Sequence, residues 1–337
     1  MVFIFIIIAE LFFGYWFKEY NFGPELRGKR IQKIIHQHIN GDKTFYFRDF
    51  YGMRENEDIY EKYDANKIKI VFNGGSTTDQ MYSNYEDTIV GILNSSLKQD
   101  KIDLKIYNAG LSGKSLRGHI REFDTWFANI PNFKPDIMIY YIGLNDRNSI
   151  NERWHDFSFQ GNFFTKIYWN ITQKSFFYEK IKFIKDKYFF TQVKMDRYFT
   201  DDEDLKKKLS NNEFIHYVDA KSLYKVANTK EIEIIDNYRK NLKRLKDQIN
   251  KFDVKPIFIT QINFNINGDK ILYFLNKELK NFSKSNKYDI IKLDELVNYP
   301  LNNSFRDTIH TNEKGSREIV KAIYPELKKI FKDFYKN

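Results

Sequence analysis

The sequence of 337 residues contains no cysteine. Disulfide bonds and metal sites built on thiolates are therefore excluded. This absence is compatible with both the periplasm and the cytoplasm, so it does not indicate a compartment. The sequence also shows no internal repeat, and its first residues lack the basic segment and the small-residue cleavage site of a signal peptide.

Charge of one sign dominates only weakly, because Lys and Arg total 55 against 45 Asp and Glu, a net charge of +10. A positive balance can indicate nucleic acid or an anionic membrane as partner. The lysines, however, are scattered through the predicted helices and do not form one stripe. We therefore predict no nucleic-acid binding. His36 and His38 form an H-x-H pair without an evident third ligand, so no metal site is predicted.

Residues 1–17 are nearly all apolar, with Glu10 as the one charge among them. Seventeen residues is the short end of the range for a membrane span, and Tyr15 and Trp16 suit the interfacial belt. We interpret this segment as the anchor of a single-pass membrane protein; a signal peptide and a buried apolar helix are the alternatives. Arg27 and the basic residues after it favour a cytoplasmic domain by the positive-inside rule. A basic segment before the apolar residues, missing from this reading frame, would reverse the orientation that the rule favours. We therefore discount the rule here and expect an extracytoplasmic domain.

Residues 18–66 are mixed in character and are interpreted as a connecting arm, with a helix near Leu26 to Ile39. From Lys67 onward, short apolar runs alternate with helical patterns, which favours a parallel sheet covered on both faces. We predict a three-layer α/β/α sandwich with a flavodoxin-like parallel sheet of five strands. The predicted strands are Ile68–Asn73, Asp103–Tyr107, Asp136–Tyr141, Pro256–Thr260 and Asp289–Leu293. The predicted helices are Asp87–Leu97, Leu116–Phe127, Lys230–Phe252, Asp269–Phe282 and Asn312–Phe331.

Residues 149–228 interrupt this alternation with a stretch rich in Phe, Tyr, Trp and Lys. The stretch is too long for a plain loop in a compact domain. We interpret it as a helical, aromatic insertion that forms a lid beside the site. A helical pair packed on the edge of the fold and an amphipathic surface that touches a membrane are the alternatives.

Four polar clusters each follow a different predicted strand. They are Asn73–Thr78 with Ser76, Asn108–Ser115 with Gly113, Gly143–Asp146 with Asn145, and Asp307–His310. Each cluster alone is compatible with an ordinary turn. Together they supply a nucleophile, oxyanion donors and an acid–base pair at the edge of the sheet where open α/β folds bind ligands.

Two other families are poorer matches to these clusters. A P-loop requires G-x-x-x-x-G-K-[ST], but Asn108 occupies the position of its first glycine. The elbow of an α/β-hydrolase is G-x-S-x-G, whereas Thr78 stands two residues after Ser76. In that family the acid and the histidine are also far apart in sequence, whereas Asp307 and His310 are three residues apart.

The four clusters resemble, in order, four sequence blocks of the SGNH/GDSL hydrolase family. The resemblance covers residues 67–148 and 229–333. It implies that Ser76 is the nucleophile, that His310 is its base and that Asp307 orients His310. It also implies an oxyanion hole made by the backbone N–H groups of Ser76 and Gly113 and the amide of Asn145.

One position departs from the family pattern, because Gly75 replaces the aspartate of the Gly-Asp-Ser block. The resulting GGST variant resembles a branch of bacterial, often cell-envelope, members. Gln261 ends the fourth predicted strand, and similar Thr-Gln ends in the family suggest that it contacts substrate.

The resemblance implies a serine esterase that works through an acyl-enzyme without a metal or organic cofactor. An O-acyl group, such as acetyl, on a cell-envelope carbohydrate is the expected substrate. An O-acyltransferase with the same triad, a non-catalytic polysaccharide-assembly protein and a membrane-associated binding protein built around the insertion are the alternatives.

Overall fold

The computed structural model describes residues 2–17, 30–37, 42–56, 64, 66–148, 156, 161–185, 188, 192–195, 216–264, 267–297, 299, 301 and 304–335. The strands are β1 Lys33–Gln37, β2 Lys43–Arg48, β3 Arg54–Glu55, β4 Ile70–Gly74, β5 Ile106–Asn108, β6 Ile137–Tyr141, β7 Gln192–Met195, β8 Lys255–Ile259 and β9 Asp289–Ile291. They form one mixed sheet in the order β7-β1-β2-β3-β5-β4-β6-β8-β9.

The five helices predicted from the sequence lie where it places them, with ends that differ from the prediction by up to four residues. The helices are α1 Val2–Phe13, α2 Ser76–Asp79, α3 Ile89–Gln99, α4 Leu116–Thr125, α5 Phe163–Lys174, α6 Phe176–Ile184, α7 Tyr217–Leu223, α8 Thr229–Phe252, α9 Lys270–Asn286, α10 Leu293–Leu296 and α11 Glu313–Tyr335. Side-chain caps begin several of them, including a capping box between Asn228 and Glu231 at the start of α8.

Strands β5, β4, β6, β8 and β9 are parallel neighbours, and their side chains alternate between two cores. Met138 and Tyr140 of β6 pack in the core shared with α4, α8 and α9. Ile137 and Ile139 of the same strand pack in the core shared with α3 and α11. The parallel strands are therefore covered by helices on both faces, as their continuous apolar runs predict.

The prediction of a five-stranded sheet is wrong in extent, because four more strands lengthen it on the β5 side. Three of them lie in the predicted connecting arm, and the helix predicted near Leu26 to Ile39 is wrong because β1 occupies Lys33–Gln37. In β2, buried and more accessible residues alternate along KTFYFR. This period of two is the signature of a strand with two different faces.

Helix α1 is twelve residues long. Among the described residues, no helix combines the length and the apolar character needed to cross a bilayer, so the predicted membrane-spanning helix is not supported. The carboxylate of Glu10 accepts hydrogen bonds from Ser175 Oγ at 2.5 Å and from the N–H of Phe176 at 2.9 Å. Glu10 therefore satisfies backbone donors at the start of α6, which explains a charge within an apolar segment.

The described part of the predicted insertion contributes helices α5, α6 and α7 and one strand. Strand β7 pairs in parallel with β1, so the insertion and the N-terminal strands form one edge of the sheet. Asp156 is buried and accepts hydrogen bonds from the backbone N–H and the hydroxyl of Ser115, both at 2.8 Å. The insertion is thereby tied to the residue before α4. A lid role for residues 149–228, many of which lie outside the described ranges, stays a prediction.

Candidate active site

Ser76 lies at the turn between β4, which ends at Gly74, and the short helix α2, which begins at Ser76 itself. The turn places Ser76 at the carboxyl edge of the parallel strands, where open α/β sheets bind ligands. Gln80, the residue directly after α2, has left-handed backbone angles. The Gln80 amide donates to Ser316 Oγ at 2.7 Å, which links the Ser76 segment to α11.

Asp307 and His310 lie on the turn that precedes α11. The turn is closed by a bridge between Phe305 and Thr311 and by a hydrogen bond from the N–H of Arg306 to the carbonyl of His310 at 2.8 Å. Asp307 Oδ1 accepts the backbone N–H of His310 at 2.7 Å. The spacing of three residues therefore lets one carboxylate fix both the turn and the ring that follows it.

The side chains of Ser76, His310 and Asp307 form one continuous chain of hydrogen bonds. His310 Nε2 lies 2.7 Å from Ser76 Oγ, and His310 Nδ1 lies 2.6 Å from Asp307 Oδ2. The carboxylate can only accept, so Nδ1 carries the proton and Nε2 is free to accept the serine proton. The sequence-predicted trio is thus brought together from the two ends of the sheet domain in the geometry that activates a hydroxyl nucleophile.

The local environment lowers the pKa of Asp307. Burial raises the pKa of this carboxyl, but the hydrogen bond and charge of His310 and the backbone N–H groups of His310 and Ile309 outweigh that effect. The carboxylate is therefore held in its ionised form, which is the form that can orient an imidazolium.

We expect Asp307→Asn to lose stability in a manner that depends on pH. A carboxyl whose pKa is lower in the folded state stabilises that state above its unfolded pKa of about 4, and the effect is lost as pH falls through the folded pKa. In urea unfolding, the advantage of the wild type over Asp307→Asn should be full at neutral pH and should vanish in acid. Asp253→Asn is the control, because that side chain is 94% exposed. An advantage that is the same at all pH values would contradict the expectation.

Gly113 and Asn145, the predicted oxyanion donors, lie on the loops that follow β5 and β6. Gly113 has a φ of 79°, a left-handed conformation that glycine adopts without strain. Among the described residues, neither the N–H of Gly113 nor that of Ser76 has an acceptor. Asn145 Nδ2 donates to the carbonyl of Lys114 at 2.8 Å, which holds its amide against the Gly75 backbone.

Gln261 is buried, and both ends of its amide are bonded within the protein. Its oxygen accepts the N–H of Leu144 at 2.6 Å, and its nitrogen donates to Thr77 Oγ1 at 3.0 Å. This placement joins the Ser76 helix to the loop that carries Asn145. The structure therefore favours a bracing role for Gln261 over the substrate contact suggested by the sequence.

A small cavity of about 30 Å³ opens beside Ser76 and His310. Ser112 and Arg306, which the sequence analysis did not select, also line it. Arg306 donates to the carbonyl of Tyr82 at 2.6 Å, so its side chain forms part of the wall. Both residues lie next to selected ones, Gly113 and Asp307, and this adjacency was the only signal that could have identified them.

The described residues contain no group of three or more His, Asp or Glu side chains arranged to hold a metal ion. His36 is buried, with its ring centroid 4.9 Å from that of Tyr82. Its partner in the H-x-H pair, His38, lies outside the described residues.

No protein-family model matches the sequence, and no curated protein is similar enough in sequence to count as a relative. Solved structures similar to this chain include the acetyl xylan esterase AlAXEase, at 15% identity and a TM-score of 0.42, covering 77% of this chain and 99% of that one. They include a catalytic mutant of Axe2, an acetylxylan esterase from Geobacillus stearothermophilus, at 15% identity and a TM-score of 0.44. The match covers 79% of this chain and 96% of that one. They also include a structure described as a putative lipolytic protein of the G-D-S-L family from Desulfitobacterium hafniense DCB-2, at 11% identity and a TM-score of 0.43. The match covers 76% of this chain and 97% of that one. At these identities and TM-scores the similarities carry no argument about function, and the activity of this chain has to be argued from its own site.

Proposed function

We propose that this protein is a serine esterase that removes small O-acyl groups, acetyl in particular, from a carbohydrate through an acyl-enzyme. The observation that carries the proposal is the continuous chain from Ser76 Oγ to His310 Nε2 at 2.7 Å and from His310 Nδ1 to Asp307 Oδ2 at 2.6 Å. It ends at a hydroxyl that borders a cavity. A carbohydrate of the cell envelope is the proposed acceptor.

Ser76 Oγ attacks the ester carbonyl, and its proton passes to His310 Nε2. The carbonyl oxygen becomes an oxyanion, for which the N–H groups of Ser76 and Gly113 and the amide of Asn145 are the proposed donors. His310 then gives the proton to the leaving sugar oxygen, and the acyl group remains on Ser76. Water attacks this acyl-enzyme with His310 as base, which releases the acid and restores the serine.

The walls of the cavity support a short acyl group. The space beside Ser76 is about 30 Å³. Arg306 forms part of its wall and donates a hydrogen bond to the carbonyl of Tyr82 at 2.6 Å, which holds the side chain in place. We therefore expect an acetyl group to fit this space better than a longer acyl chain.

We expect kcat/KM to fall by about tenfold or more from p-nitrophenyl acetate to p-nitrophenyl butyrate, since each misplaced methylene costs about 1–3 kcal/mol in a tight pocket. Initial rates for the acetate, butyrate and octanoate esters measure this directly, and Ser76→Ala supplies the background. Acetylated xylan and other acetylated polysaccharides are the next substrates, with released acetate as the readout. Equal rates for acetate and octanoate would contradict the assignment of the cavity. Wild-type rates equal to those of Ser76→Ala on every ester would contradict the esterase itself.

A further inference from the structure

Arg48, the last residue of β2, is a charged side chain with no exposure to solvent. Its guanidinium donates to Asp79 Oδ1 at 2.8 Å and to the backbone carbonyls of Gly52 and Gly110. It also lies 2.5 Å from the hydroxyl of Tyr46. A buried charge persists in a fold only when it is paired and its remaining hydrogen-bonding groups are satisfied, so these contacts hold Arg48 in one position.

Asp79 connects Arg48 to both sides of the candidate active site. It is the last residue of α2, the helix that begins with Ser76. While Oδ1 accepts from Arg48, Oδ2 accepts from the hydroxyl of Ser112 at 2.9 Å. Ser112 directly precedes Gly113 in the chain. One carboxylate therefore joins the helix of the nucleophile to the loop of the second N–H donor.

Arg48 reaches the same loop a second time through the carbonyl of Gly110. Two links through Arg48, one by way of Asp79 and Ser112 and one directly to Gly110, help to set the distance between α2 and this loop. They add to the direct hydrogen bonds from the Leu111 N–H to the Gly74 carbonyl and from Asn108 Nδ2 to the Thr78 carbonyl, both at 3.0 Å. Both links begin on β2, a strand that lies outside the part of the sequence covered by the family resemblance. Both links share the guanidinium of Arg48, and the hydroxyl of Tyr46, which is also on β2, donates to Asp79 Oδ1 at 2.9 Å.

We infer that Arg48 is a positioning residue of the reaction: through Asp79 and Gly110 it sets the separation of the Ser76 and Gly113 N–H groups. The inference rests on the proposed esterase function. Oxyanion donors act only when they are already in place as charge develops, and a misplacement of about 1 Å can cost about 10²-fold in rate. Arg48 is fully buried and is not among the residues that line the cavity, so its effect on kcat is expected to act through the two donors.

The test uses the full chain with p-nitrophenyl acetate and compares Ser112→Ala, Arg48→Lys and the double variant Arg48→Lys/Ser112→Ala. Lysine keeps the charge but cannot bond Asp79 and both carbonyls at once, because it lacks the planar fork of arginine. We expect Ser112→Ala and Arg48→Lys each to lower kcat by about tenfold, with KM unchanged within about twofold. The double variant should be no slower than the slower of the two single variants, because both changes break one network.

A second readout separates positioning from general loss of structure. The rate at which a fluorophosphonate modifies Ser76 depends on stabilisation of a charged oxygen, so it should fall in parallel with kcat in both single variants. Ser96→Ala is the matched control, because the Ser96 hydroxyl bonds only the carbonyl of Ile92 within α3 at 2.9 Å. All rates are taken well below the unfolding temperature of each variant. If Arg48→Lys does not fold, Tyr46→Phe replaces it in the comparison, because the Tyr46 hydroxyl bonds both Arg48 Nε and Asp79 Oδ1.

The outcomes separate the two proposals. A wild type that neither hydrolyses the ester faster than Ser76→Ala nor reacts with the fluorophosphonate overturns the esterase and, with it, this inference. An active wild type together with Ser112→Ala and Arg48→Lys variants of unchanged kcat overturns the positioning role alone. Losses that multiply in the double variant also overturn it, because they would mean that Arg48 and Ser112 act separately.

Discussion

Replacing either Ser76 or His310 with alanine is expected to lower kcat by about 10⁴-fold or more, and replacing both is expected to lower it no further. The reason is the direct contact of 2.7 Å between Ser76 Oγ and His310 Nε2. Without the imidazole the hydroxyl has no acceptor for its proton, and without the hydroxyl the imidazole has no nucleophile to activate. The two residues therefore act as a unit, and each single change already removes the whole of it.

The measurement is kcat for an acetate ester with the two single variants, the double variant and matched controls for each residue type. Ser96→Ala controls for loss of a serine hydroxyl, and His216→Ala controls for loss of a histidine ring outside the site, before α7. A double variant that is slower than both single variants by the product of their losses would show that Ser76 and His310 act independently. That result would leave the hydrogen bond between them without a role in the reaction.

The parallel part of the sheet and the trio of Ser76, His310 and Asp307 could be predicted because their signals are local. Each parallel strand is a continuous apolar run, as in β6, where all five residues are buried. Asp307 and His310 are three residues apart, and a turn of that length closes on itself through the bond from the His310 N–H to Asp307. The order of the strands then brings Ser76 to them without any further information in the sequence.

The N-terminal strands could not be predicted in the same way, because their stabilising contacts are distant in the chain. Arg48 is 31 residues from Asp79 and 62 residues from Gly110, to which it donates hydrogen bonds. Glu10 is 165 residues from Ser175, and the sequence alone offered only its position among apolar residues. Burial of a charged side chain follows from such partners, and the sequence around the charge does not identify them.

Gly75 is the position at which this sequence departs from the family's Gly-Asp-Ser block. The side chain opposite it explains why glycine stands there. A Cβ on residue 75 would lie 2.1 Å from Asn145 Nδ2, far inside the contact distance of the two atoms. The backbone φ of −83° at this residue is not a left-handed value, and the close approach of the Asn145 amide is the feature that demands glycine. An aspartate here would require the Asn145 amide to lie elsewhere.

We therefore expect Gly75→Ala to lower kcat by about 10²–10³-fold, the cost of one lost oxyanion donor. The added methyl group must displace the Asn145 amide, because the two would otherwise overlap. The displacement breaks the hydrogen bond of 2.8 Å that holds this amide to the Lys114 carbonyl. The Lys114 side chain is fixed in turn by a fully buried ion pair with Glu122 at 2.6 Å, so the carbonyl has little freedom to follow. Asn145→Ala should show a loss of the same size, measured as kcat on an acetate ester.

The decisive comparison is the double variant Gly75→Ala/Asn145→Ala. Once the amide has been removed, the methyl group at residue 75 has room, so the double variant should be no slower than Asn145→Ala alone. Multiplied losses would mean that the methyl group acts on Ser76 itself and not through Asn145. A wild-type kcat in Gly75→Ala would mean that the amide can move without cost, and Asn145 would then have no place among the donors that stabilise the oxyanion.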